Sequence, residues 1–227
     1  MIAGIQVVND SGTVQIDDQY SNLRLVQKGT VPIGKTEVSI VGSFPVLVLR
    51  LEQPVGGGPD LYVYQEACVR KGASWVYTIG TTLGGIAKPG TSVEYYVFDK
   101  GSPRTSTFGM QTFNSSGELI FDANEKYLKI LKSIHVANFK TIGVIPVLGG
   151  RKAGIVFGRF PGKNQTYYQP PGNLCFTQLY TAGMNNVAGG VRIGETWFFS
   201  RADLGYCSTA TYDYPEFTCL VVDLTGM

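Results

Sequence analysis

The chain has 227 residues, a net charge of +2, a charged fraction of 16% and 29 glycines. That mix excludes a disordered or long-helical protein and suits a compact, turn-rich β protein. The cations are scattered, and the nearest thing to a basic cluster, Arg151 with Lys152, is too small for a nucleic-acid footprint; no apolar run approaches the roughly 20 residues that span a bilayer, and no secretory signal is visible.

Strand signals dominate in chain order. Residues 5–8 and 13–16 flank a polar turn at 9–12, which predicts a hairpin. Residues 23–26 alternate apolar and polar, as a half-buried strand does. Further strands are predicted at 38–41, 45–51, 61–64, 74–79 and 92–98, with a Gly/Pro break at 54–59. A short polar stretch at 100–104 reads as a linker. A second hairpin follows at 109–122, and then strands at 142–147, 153–157, 174–180, 195–200 and 217–223. Residues 158–172, with Pro161, Pro170 and Pro171, read as a loop, and so do 182–190. The one helix signal, at 122–126, is enough for a single turn.

The two hairpins repeat one phrase. Gly4, Gln6, Asn9, Ser11, Gly12, Asp17 and Leu23 recur as Gly109, Gln111, Asn114, Ser116, Gly117, Asp122 and Leu128, every one displaced by 105 residues. Intervening positions swap like for like, as in Ile5/Met110, Val8/Phe113, Ile16/Phe121 and Arg24/Lys129. The strands at 92–98 and 217–223 match as well, each running into an aspartate, Asp99 and Asp223. A period this long is a small domain rather than a solenoid unit of about 20–50 residues. The expected fold is all-β: two tandem β-sandwich domains related by an internal repeat, at 1–103 and 104–227.

The second copy, with Gly109, Gln111, Phe113, Asn114, Gly117, Leu119, Phe121, Asp122, Tyr127 and Leu128, resembles a phrase found in structural proteins of the tail tip or tail fibre of long-tailed bacteriophages. The first copy fits less fully, with Asn22 in place of Tyr127. The resemblance implies a virion protein of the tail, assembled in the host bacterial cytoplasm. The resemblance further implies a role in tail assembly and in attachment to a host receptor or glycan. Its implied partners are other tail proteins and further copies of itself, a trimer being one arrangement. It implies no enzyme and no cofactor. The alternatives are a carbohydrate-binding module or a glycan hydrolase.

Turn chemistry accounts for the motif residues without a ligand: glycine for turns, and Asn and Asp for hydrogen bonds to nearby backbone. His135 is the only histidine and lies in a strand-like stretch with no nucleophile elbow near it. Among the carboxylates Asp17, Asp18, Glu118, Asp122 and Glu125, Glu118 and Asp122 are four apart and would share a strand face, as a hydrolase pair would. Asp122 and Asn124 are oxygen donors for a calcium reading. Cys68, Cys175, Cys207 and Cys219 form no C-x-x-C pair and are expected to be free, mostly buried thiols in a reducing compartment; a Cys175–Cys219 or Cys207–Cys219 bridge is the alternative. The residues chosen for partner or receptor contact are Tyr167, Tyr168, Tyr206, Tyr212 and Tyr214, which sit among Ser, Thr, Gly and Asp in second-half loops. Tyrosine contributes amphipathic contact area at small entropic cost.

Overall fold

The computed structural model describes residues 7–8, 14–16, 22–52, 61–82, 90–101, 106–137, 143–158, 162–169, 174–204, 210–214 and 216–227. Every regular element among them is a strand: β1 (Val7–Val8), β2 (Val14–Ile16), β3 (Arg24–Val31), β4 (Thr36–Val41), β5 (Val46–Glu52), β6 (Val63–Lys71), β7 (Ser74–Thr81), β8 (Ser92–Asp99), β9 (Gln111–Phe113), β10 (Leu119–Asp122), β11 (Lys129–Val136), β12 (Gly143–Pro146), β13 (Ala153–Phe157), β14 (Gly162–Gln169), β15 (Leu174–Val187), β16 (Gly190–Leu204), β17 (Ala210–Tyr214) and β18 (Phe217–Asp223). The protein is all-β, as its composition and periodicity predict.

Alternation places the core. Leu47, Leu49 and Leu51 of β5 turn to one side, with Val93 and Val97 of β8 and Ile155 of β13. They meet Ile40, Val63, Ile79, Met184 and Ile193 of a second sheet in one apolar cluster. The intervening residues divide: Arg50 and Glu94 meet in an ion pair, and the others are apolar. Val48, Tyr96 and Phe98 join Val222 and Leu224 in a smaller cluster on the other face, packed against Leu23, Leu25, Leu128 and Met227. β5 and β8 therefore carry apolar packing on both faces, interrupted by the Arg50–Glu94 pair.

Sheet order sets strands of the two repeat halves side by side. The six-stranded sheet runs β11-β18-β13-β5-β8-β3, and the larger sheet runs β12-β16-β15-β6-β7-β4, with β14 and β17 added beside β15. Each sheet takes strands from both sides of residue 103. β5 pairs with β13 at Leu49 and Ile155, and β6 pairs with β15 at Val63 and Met184. Strands of 1–103 and 104–227 thus lie edge to edge in the same two sheets, one residue pair joining them in each, and contribute to one apolar cluster. The physical reason is that β5, β6, β13 and β15 would each be an open edge in an isolated half, and edge-to-edge pairing satisfies those edges.

Matched strands stand in mirrored places. Read from either end, each sheet has the same succession: β3-β8-β5 against β11-β18-β13, and β4-β7-β6 against β12-β16-β15. β3 and β11 have eight residues each, pair Arg24 with Asp99 and Lys129 with Asp223, and carry their irregularity at the same step, Leu25/Gln27 and Ile130/Lys132. In the hairpins, Val7 pairs with Ile16 and Val8 with Val14, while Thr112 pairs with Phe121 and Phe113 with Leu119, again 105 residues apart.

Two polar devices tie the halves together. The Asn186 carboxamide accepts from Leu51 N–H at 3.1 Å and donates to Ala153 C=O at 2.9 Å, reaching β5 and β13 at once. The Glu94 carboxylate accepts from Arg50 at 3.0 Å and from Lys152 at 2.8 Å, with the Lys152 ammonium 5.5 Å from the Tyr96 ring centre. Burial alone would raise the Glu94 pKa, but hydrogen bonds and charge from Lys152 and Arg50 outweigh it and the net shift is downward.

The thiol expectation needs correction. Cys68 is free and exposed, Cys219 is free and buried, and Cys175 is disulfide-bonded. With Cys219 free, neither of the two bridges considered above forms; Cys207 lies outside the described residues. Burial pushes the Cys219 thiol up to about 12, which leaves it inert at neutral pH.

Candidate functional site

The repeated phrase builds a closed hydrogen-bond knot in its second copy. Asp122 ends β10 and is fully buried. Its carboxylate accepts from the Ser106 hydroxyl at 2.5 Å, Ser106 N–H at 3.2 Å, the Gln111 amide at 2.9 Å, Asn124 N–H at 2.8 Å and the Asn124 amide at 3.2 Å. Asp122 N–H donates to the Tyr127 hydroxyl at 2.7 Å, and the Tyr127 ring stacks on Phe121 with centroids 4.9 Å apart. The Ser106 hydroxyl, then Asn124 N–H and the Gln111 amide, hold the Asp122 carboxyl far below the usual carboxylate range.

The turn is equally self-contained. The Asn114 side-chain oxygen accepts from Ser116 N–H at 3.0 Å and Glu118 N–H at 2.8 Å, and its amide donates to the Glu118 carboxylate at 2.7 Å. Gly117 closes the turn at φ +80°. Gly109 sits at φ +107°, where a Cβ would stand 2.9 Å from the Asn124 amide nitrogen. The Gly, Gln, Asn and Asp of the phrase are therefore spent on holding a hairpin. The corresponding residues of the first copy lie outside the described residues, apart from the backbone of β1 and β2.

This arrangement overturns the carboxylate pair. Glu118 is an exposed turn residue bound to Asn114, and the register shift between Leu119 and Phe121 breaks the alternation assumed from a spacing of four. Asp122 faces five donor contacts rather than a cleft. The calcium reading fails on the same contacts, since Asn124 turns its amide nitrogen to Asp122. Among the described residues no group of three or more His, Cys, Asp or Glu could hold a metal ion. His135 is exposed on β11 opposite Thr218. Asp17 and Asp18 lie outside the described residues, and no described helix is long and apolar enough to cross a membrane.

The tyrosines chosen from sequence fall on strands, not loops. Tyr167 and Tyr168 lie on β14, opposite Phe176 and Cys175 of β15. Tyr212 and Tyr214 lie on β17, opposite Asn164 and Gly162 of β14. The structure brings these four into one ribbon, β17-β14-β15-β16; Tyr206 lies outside the described residues. The prolines that suggested a loop at 158–172 flank β14 instead of interrupting it, as the missing N–H of proline requires. The loop expected at 182–190 is the end of a long hairpin, with only Ala188 and Gly189 between β15 and β16 and Gly189 at φ +76°. Neither half-repeat predicts β14 or β17, because the first half has no counterpart to them.

The chain matches no family model, no curated protein and no solved structure.

Proposed function

We propose that this protein is a structural component of a bacteriophage tail tip or tail fibre. In this reading it joins other tail proteins and offers the β14–β17 ribbon to a neighbouring subunit or a host receptor. The observation that carries the reading is the duplicated hairpin phrase; in its second copy the Gln111, Asn114 and Asp122 side chains are consumed in holding the hairpin. A hairpin held this way presents its remaining side chains at small entropic cost. Phe108, Met110 and Phe113 are the exposed apolar residues it displays. The disulfide at Cys175 suits a ribbon that works outside the reducing cytoplasm.

Mass spectrometry of purified virions tests the proposal. The protein is expected in tail fractions at a fixed ratio to other tail proteins, and its deletion is expected to give tailless or non-adsorbing particles. Absence from virions, with normal adsorption of the deletion, would overturn it.

A further inference from the structure

A cleft of about 220 Å³ opens where the two sheets part near the β4–β5 turn. Its walls include the rings of Phe44, Trp75, Tyr77 and Phe157, with Gln65 and Cys68 among the few polar groups. The aromatic walls are preset. Trp75 donates its indole N–H to Gly42 C=O at 3.2 Å, meets Phe44 edge-to-face at 6.1 Å and lies 5.7 Å from the Arg70 guanidinium carbon. Tyr77 donates its hydroxyl to Pro45 C=O. The polar ends of both rings are thus satisfied inside the protein.

Gln65 is different. It is only 9% exposed, lines the cleft, and its carboxamide has no hydrogen-bond partner among the described residues. Neither atom of this amide is fully enclosed, so water reaches it through the cleft; a guest that covers it without pairing with it incurs a desolvation cost, and one that pairs avoids that cost. The cleft holds about one ring, and its single free polar side chain reads a single polar group. A sugar would bring several hydroxyls into apolar walls with nothing to receive them. A plain hydrocarbon ring would leave the amide unanswered. The rings of Phe44 and Trp75 favour an aromatic guest packed edge-to-face.

We propose that this cleft binds a phenol: one aromatic ring carrying one hydroxyl, seated between Phe44, Trp75 and Phe157 with its hydroxyl on the Gln65 carboxamide. The site belongs to the body of the molecule and stands or falls independently of the tail reading.

Cys68 supplies the reporter, because it is free, exposed and part of the cleft wall. The alkylation rate of Cys68, read by peptide mass mapping, is measured with p-cresol, toluene, N-acetyl-tyrosinamide or glucose present. Saturating p-cresol is expected to slow labelling at least fivefold. Toluene should bind roughly tenfold more weakly, the worth of one good hydrogen bond. Gln65→Leu should erase that preference while toluene binding persists. Phe44→Ala, a change at a residue 65% exposed, should weaken both rings with the fold intact. Protection by N-acetyl-tyrosinamide equal to that by p-cresol would assign the site to a tyrosine side chain of a partner; protection by p-cresol alone would assign it to a free phenol. The proposal is overturned if no ring protects Cys68, if toluene and p-cresol bind alike in the unaltered protein, or if glucose competes.

Discussion

The two halves of the molecule use matching strands but close them differently. Asp99 and Asp223 end the equivalent strands β8 and β18. Asp99 accepts from Ser43 N–H at 2.8 Å, Ser43 hydroxyl at 3.2 Å, Phe44 N–H at 2.9 Å and Lys100 N–H at 2.7 Å, and so clamps the tight turn between β4 and β5. Asp223 accepts from Thr225 N–H at 2.9 Å and pairs loosely with Arg151 at 3.7 Å. The link between β12 and β13 is longer, running from 147 to 152 against 42 to 45, and its residues do not reach the carboxylate in the same way. A duplicated strand framework therefore tolerates divergence in its turns, and the same residue type takes the role its local loop offers. The divergence has a consequence: the short clamped turn sets Phe44 and Pro45 at the aromatic cleft, while the second half gains a ribbon instead.

The strongest way to break the comparison is to ask whether the halves unfold apart. Ile155→Ala, at the β5–β13 junction, should cost about 3 kcal/mol and lower the melting temperature by roughly 6–12 °C, in one calorimetric transition shared by the whole chain. Two transitions would show that the halves are independent after all. Asn186→Leu removes the acceptor for Leu51 N–H and the donor for Ala153 C=O, and should cost about 2–3 kcal/mol by urea titration.

The two aspartates give the next contrast. Asp99→Asn turns one acceptor into a donor facing backbone N–H groups and should cost about 2 kcal/mol, whereas Asp223→Asn keeps the Thr225 contact and should cost about 0.5 kcal/mol. Equal losses would mean that the turns are not what differs.

The smallest effects are electrostatic. Asp122, Glu94 and Asp223 all have folded pKa values below their ordinary ones. Such groups stabilise the fold above the ordinary carboxylate range, and that stabilisation is lost as pH falls through their folded values. Stability should therefore be level near neutrality and decline in acid, and Asp122→Asn should flatten the hairpin's share of that decline, read by amide exchange at 106–124. The Lys152 pKa is raised: burial alone would lower it, but Glu94 and then Tyr96 outweigh that. Its contribution is complete below the ordinary lysine value and is lost only as pH rises through the folded one. Lys152→Met should cost about 0.5 kcal/mol at neutral pH.

Much of this was legible in the chain itself. Period-two alternation located most of the body strands, and the 105-residue displacement matched β9, β10 and β11 to β1, β2 and β3, down to the same irregular step. The hairpin's Gly, Asn and Asp announced turn chemistry because those side chains act on backbone a few residues away. Long-range outcomes were not legible. Nothing local to Leu49 or Ile155 says that they face each other, so the sheets shared across residue 103 appear only when the edges meet. Gln111 could not be seen reaching Asp122, nor Asn186 bridging two strands of the opposite sheet, because each contact depends on register. Proline at 161, 170 and 171 spoke for a loop, and the edge offered by β15 decided for a strand. The sequence by itself determined β structure, the repeat and the turns, all set by interactions within a few residues. Tertiary structure alone decided which edges pair, which carboxylate is enclosed and which amide is left open to a cleft, since burial and partner choice belong to residues far apart in the chain.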